Sequence, residues 1–125
     1  MEFRNLGRSG LRVSAVGLGC NNFGGRIKDL EQTRAVVHAA FDAGITLFDT
    51  ADRYGDFGGS ETQLGQVLGP NRKNIVLATK FGGAMDAGPR KGASRRWIMQ
   101  AVEDSLRRLQ TDWIDLYQLH FPDAN

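Results

Sequence analysis

The chain has 125 residues, enough for one ordinary domain built around a single core. Its composition, 41% hydrophobic and 24% charged, is that of a globular protein and excludes a disordered one. Sixteen Lys plus Arg against fourteen Asp plus Glu leave a net charge of +2, too small an excess to imply a nucleic-acid or anionic-membrane partner, and one cysteine excludes an intrachain disulfide framework and a Cys-rich metal site.

The opening residues, Met1 to Val13, contain no apolar signal core. No stretch approaches the roughly 18 apolar residues of a spanning helix, so a reducing cytoplasm is the expected setting. Phe3 to Leu6 and then Arg8-Ser9-Gly10 read as a short β-hairpin arm. Val13 to Cys20 alternates loosely as a first strand and ends in the turn cluster Asn21-Asn22-Phe23-Gly24-Gly25.

Asp29, with Gln32 three residues on, predicts a helix start of capping-box type. Leu30, Val36, Val37, Ala40 and Phe41 fall on one expected inward side, and Gly44 is the expected stop. Ile45 to Ala51 reads as the second strand, followed by a polar glycine-rich loop from Asp52 to Gly59. Ser60 with Gln63 predicts a second cap, and Leu64, Val67 and Leu68 a second helical face, closed by Gly69-Pro70.

Ile75 to Phe81 reads as the third strand. After a loop from Gly82 to Ala93, Ser94 is expected to cap a third helix with Ile98, Val102, Leu106 and Leu109 inward. Its outer side would pair Glu103 with Arg107 and Asp104 with Arg108. Trp113 to His120 reads as the fourth strand. The alternation predicts an α/β fold with a parallel sheet, right-handed crossovers and consecutive strands as neighbours.

In parallel α/β sheets, ligands bind at the carboxyl ends of the strands. Asp49 ends the second strand, Lys80 the third and His120 the fourth, and Tyr54 lies in the loop after the second. Adjacent strands are about 4.8 Å apart, so these side chains can meet. A free tyrosine titrates near 10, too high for easy proton donation at neutral pH, but a nearby ammonium stabilises its phenolate. Lys80 is suited to that task, with Asp49 as counter-ion. His120 can donate a hydrogen bond to a substrate oxygen. The set polarises a carbonyl and protonates it, holds no activated nucleophile, and needs a hydride donor, for which a nicotinamide is the usual choice.

These segments resemble the aldo-keto reductase family. The matching runs are Gly44 to Gly55, Gly59-Ser60-Glu61 with Leu64-Gly65, Ala78 to Gly82, and Ser105 to His120, with Arg4 to Ser14 similar to that family's N-terminal hairpin. The resemblance implies a (β/α)8 barrel using NADP(H), sometimes NAD(H), to interconvert carbonyls and alcohols. It implies Tyr54 as general acid, Lys80 as the cation beside it, Asp49 holding Lys80, and His120 orienting the carbonyl. Gly19, Cys20 and Asn21, with Asp49, match where the family's chain passes the nicotinamide. A closed barrel takes roughly 250 residues, and this chain supplies about four strands and three helices. Residues 1–125 are therefore expected to form the N-terminal half of a TIM barrel, a partial domain that carries the catalytic residues without most of the cofactor site and is inactive by itself. Self-association through the unclosed sheet is expected as well.

Other signals are set aside. Gly17-Leu18-Gly19 with Gly24 is not a dinucleotide fingerprint, because the third glycine comes too late, and Gly25 stands where a P-loop needs its lysine. His38 reads as a solvated helix residue and Cys20 as a small apolar one. Arg90, Lys91, Arg95 and Arg96 form a basic patch that reads as solvated; in a complete barrel it would flank the substrate mouth. A phospho-acceptor receiver domain would suit the length, but needs an acidic cluster after the first strand, where this chain has Gly19-Cys20-Asn21-Asn22. A non-catalytic half-barrel or assembly module stays open, and a cofactor titration discriminates it.

Overall fold

A computed structural model describes all of residues 1–125. Phe3–Asn5 (β1) and Arg12–Ser14 (β2) pair antiparallel, with Phe3 opposite Ser14. The hairpin thus takes Val13 and Ser14, which the sequence pattern assigns to the first sheet strand. The Ser14 hydroxyl donates to the Val16 carbonyl at 2.6 Å, and the Ser14 N–H donates to Thr46 Oγ1 at 2.9 Å. These bonds turn the chain, so the sheet strand begins only at Gly17 (β3, Gly17–Gly19).

The order continues as α1 (Leu30–Asp42), β4 (Leu47–Asp49), α2 (Tyr54–Leu68), a 3-10 turn over Gly69–Asn74, β5 (Val76–Phe81), α3 (Arg95–Leu109) and β6 (Leu116–Leu119). The sheet runs β3-β4-β5-β6 and every pair is parallel, as the alternation predicts. Gly19 lies opposite Asp49, Asp49 opposite Ala78, and Lys80 opposite Gln118.

The three helices cover one face. Phe48 and Leu77 point from the strands into a core shared with Val37, Leu64 and Leu109, and all five are fully buried. Each such side chain burial is worth roughly 1.5–3 kcal/mol. Side chains alternate along a strand, so Asp49, Lys80 and Gln118 stand on the opposite face. No helix is long and apolar enough to cross a membrane.

The helix faces differ from the expected ones in instructive ways. Asp29 caps α1 by accepting from the Glu31 N–H at 3.0 Å, without the return bond from Gln32. Thr33, Val37 and Ala40 are the buried positions, while Val36 is exposed. A buried hydrogen bond from the Thr33 hydroxyl to Gln63 Oε1 sets that rotation. In α3, capped by Ser94 as expected, Trp97, Ala101, Asp104, Ser105 and Leu109 are buried, and Ile98, Val102 and Leu106 are only half-buried. Small residues decide this: a Cβ on Gly65 of α2 would collide with the Arg108 carbonyl, so the helices meet backbone to backbone beside Ser105. The expected outer pairs are consequently replaced. Arg107 donates to Asp104 at 3.1 Å, and Arg108 reaches across to the fully buried Glu61 at 2.9 Å.

Candidate active site

Asp49 closes β4, and Lys80 stands one residue before the end of β5. Lys80 Nζ donates to Asp49 Oδ2 at 2.8 Å, to the Thr50 carbonyl at 2.9 Å and to the Tyr54 hydroxyl at 3.3 Å. One ammonium thus uses its three protons on three acceptors. Its side chain is mostly buried, which a lysine tolerates when it is paired in this way.

Tyr54 is held by its backbone. The segment expected as an open loop is coiled: Gly55, Asp56 and Phe57 have φ of 74°, 59° and 62°, a left-handed turn before the regular part of α2. Two non-glycine residues in that region carry strain of order 1–3 kcal/mol each. Close contacts fix the turn. A Cβ on Gly55 would collide with the Phe23 carbonyl, and one on Gly24 would lie 2.5 Å from the Gly59 carbonyl carbon. Ser60, expected as a cap, is buried instead; its hydroxyl donates to the Cys20 carbonyl at 2.7 Å and meets Thr50 Oγ1 at 2.8 Å.

His120 follows β6, and its N–H donates to the Phe81 carbonyl at 2.8 Å. The imidazole stands edge-on to the Tyr54 ring at 5.7 Å and stacks on Phe121 at 4.3 Å. Its Nδ1 is buried without a partner, which leaves Nε2 as the nitrogen able to face a ligand. Burial holds its pKa below the usual imidazole value, and the charges of Lys80 and Arg53 push the same way. The ring is therefore neutral at pH 7.

The structure brings Asp49, Tyr54, Lys80 and His120 to one edge of the sheet. Gly19 ends β3 opposite Asp49, and a Cβ there would meet nothing within 4 Å. Asn21 is exposed beside it. Cys20 is fully buried: its N–H donates to the Asp49 carbonyl, and burial, with the Asp49 charge second, pushes its thiol up to about 12. It packs as a neutral core residue.

The sequence pattern did not single out Gln118, whose Nε2 donates to Asp49 Oδ1 at 3.3 Å. Counting back two residues from His120 along the strand would have found it on the same face. Nor did it single out Asp52, which is 1% exposed with no hydrogen bond to either carboxylate oxygen. Burial, and then the charge of Glu61, pushes the Asp52 carboxyl up to about 7.

Residues 15–125 match the model of the Aldo/keto reductase family. The chain belongs to that family. Three relatives place this aldo/keto reductase chain more closely. It is 40% identical to a probable voltage-gated potassium channel subunit beta from Oryza sativa subsp. japonica, over 99% of this chain and 38% of that protein. It is 37% identical to the L-glyceraldehyde 3-phosphate reductase of Escherichia coli (strain K12), over 100% of this chain and 38% of the enzyme. Among solved structures, the aldo-keto reductase AKR11C1 from Bacillus halodurans (holo form) superposes with a TM-score of 0.84 at 43% identity, over 95% of this chain and 40% of that one. The chain thus spans about two-fifths of the length of the relatives it matches, as the four-strand count leads one to expect.

Proposed function

We propose that these residues form the proton-donating and carbonyl-orienting part of an NAD(P)H-dependent oxidoreductase that interconverts aldehydes or ketones and alcohols. The observation that supports this most directly is the triple coordination of Lys80 Nζ by Asp49, the Thr50 carbonyl and the Tyr54 hydroxyl. A carbonyl oxygen received between Tyr54 and His120 accepts a hydrogen bond from His120 Nε2–H and the proton of the Tyr54 hydroxyl. Lys80 stabilises the phenolate left behind, and Asp49 keeps the ammonium in place.

The open edge at Gly19, with Asn21 exposed and Asp49 opposite, suits the flat carboxamide-bearing end of a nicotinamide. When bound, that cofactor supplies the hydride, with NADP(H) the expected form and NAD(H) the alternative. Gly19 and Asn21 would hold it, and Cys20 would anchor the turn through its N–H.

Tyr54→Phe tests the assignment, since it removes only the hydroxyl. In a full-length barrel that carries these residues, cofactor binding, read as quenching of Trp97 and Trp113 fluorescence, should persist while carbonyl reduction falls by at least ~100-fold. Near-normal turnover would overturn it. The name of the rice relative favours a second reading, an assembly module related to the family. Absence of any cofactor-dependent quenching in that full-length barrel without the substitution would support that one.

A further inference from the structure

Arg53 immediately precedes Tyr54, yet its guanidinium makes no ion pair and no hydrogen bond among those of the chain, all of whose residues are described. Three arginines elsewhere in the chain are paired. Arg108 is satisfied by Glu61, Arg72 by Asp115, and Arg90 by Asp86 and Asp104. An unpaired guanidinium carries five donors in a fork that matches a carboxylate or phosphate.

Its position is defined by packing. A Cβ on Gly83 would collide with the Arg53 side chain, lie 3.3 Å from Arg53 Nη1 and 3.2 Å from Phe121 Cε2. Phe121 in turn stacks on His120, and His120 stands edge-on to Tyr54. Arg53, Phe121, His120 and Tyr54 therefore form one continuous rim. The guanidinium also rests 5.6 Å from the Phe57 ring centroid, which orients its plane.

Arg53 lines a cavity of about 490 Å³ with Gly83, Lys91, Phe121 and Asp123. Lys91 likewise has no ion pair. Asp123, the acid in this cavity, pairs with neither cation: its Oδ2 accepts from the Ala93 N–H at 2.7 Å and its Oδ1 from the Asn125 N–H at 3.0 Å. The cavity thus offers two unpaired cations beside the carbonyl-orienting imidazole. The reach of Arg53 into the site is visible in His120, whose imidazolium form it disfavours together with burial and Lys80.

We propose that Arg53, assisted by Lys91, is a specificity-determining residue that binds an anionic oxygen group, carboxylate or phosphate, carried by the carbonyl substrate on the side of the reacting carbon away from Tyr54. This rests on the carbonyl-reductase reading above. The substrate class is an aldehyde or ketone that carries a carboxylate or phosphate, with the anion at Arg53 and the carbonyl between Tyr54 and His120.

Two measurements test it separately. The first, made in a full-length barrel that carries these residues, is the ratio of kcat/KM for matched substrates that differ only in the anion, succinic semialdehyde against butanal and glyceraldehyde 3-phosphate against glyceraldehyde. The anionic member should be preferred in at least one pair, and Arg53→Gln should cut that ratio about 10- to 100-fold, with Arg53→Lys restoring part of it. Whichever pair responds identifies carboxylate or phosphate. The second is binding without turnover: inorganic phosphate or malonate titrated against the His120 ring resonances, with an Arg53-dependent response. If both aldehydes of each pair are reduced equally and Arg53→Gln leaves the ratios unchanged, the anion site is wrong and the reductase reading stands. If the full-length barrel reduces no aldehyde but the anion titration depends on Arg53, the anion site stands and the reductase reading falls.

Discussion

Gln118 Nε2 lies 3.3 Å from Asp49 Oδ1, so the carboxylate that pairs Lys80 is gripped at both oxygens from two neighbouring strands. The register explains it, since Gln118 on β6 is the direct partner of Lys80 on β5. Gln118 acts through Asp49 and is a positioning residue.

Gln118→Met keeps the volume and removes the donor. In a full-length barrel that carries these residues it should lower kcat several-fold with little change in the KM for the carbonyl substrate. Gln118→Glu should be worse, because it sets a second carboxylate against Asp49. Equal behaviour of the two variants, measured by steady-state kinetics, would remove Gln118 from the site.

Lys80 and Asp49 are expected to act as a unit. Lys80→Met, Asp49→Asn and the double variant should each lose about the same kcat/KM, because either single change already disorders the ammonium beside Tyr54. A double-mutant cycle measures this. Additive losses would mean that the two side chains work independently.

Asp52 makes a pH prediction. Its carboxyl titrates at about 7 in the folded chain against an ordinary 3.8, because it is buried, faces Glu61, and is only partly offset by Arg108 and Arg53. Between those values the folded state holds a proton that the unfolded state has released, so stability falls as pH rises. The contribution is complete below about pH 4 and lost by about pH 7, a span of about 4 kcal/mol at most. Asp52→Asn should therefore gain stability relative to the parent as pH rises through this window, and the difference should level off above it. Denaturant melts at pH 4 and pH 8 decide the matter. A difference that does not change with pH would show that Asp52 ionises as easily folded as unfolded.

The sheet has two open edges, β3 and β6, each with one neighbour. Val16, Leu119 and Phe121 lie near these edges and are exposed. Unpaired strand edges with apolar residues beside them favour association. Expressed alone, the 125-residue polypeptide should self-associate in a concentration-dependent way by light scattering. A monodisperse monomer over a hundredfold concentration range would contradict this.

The parallel order of the sheet was legible because strands and helices alternate with turn residues between them. The meeting of Asp49, Lys80 and His120 was legible because each ionisable residue follows a run of apolar strand residues. Helix faces were less so. The pattern of apolar residues pointed to Ile98, Val102 and Leu106 in α3, but close approach at Gly65 favours the small residues Ala101 and Ser105 inside. Polar core positions were invisible for a related reason. Glu61 and Thr79 are buried, with Arg108 half-buried beside them, because the three satisfy one another across α2, β5 and α3, at 2.9 Å from Thr79 to Glu61 and 2.9 Å from Arg108 to Glu61. No local pattern announces such a long-range pairing.

The peptide-on-peptide contacts of Gly24 with Gly59 and of Gly55 with Phe23 have an evolutionary consequence. Tyr54 owes its place to main chain pressed on main chain, so the side chains that meet a substrate can be exchanged freely without moving the proton donor. Recognition can drift while reactivity stays put. A single methyl group added at Gly24 or Gly55 would do the opposite, leaving every recognition side chain intact and displacing the tyrosine.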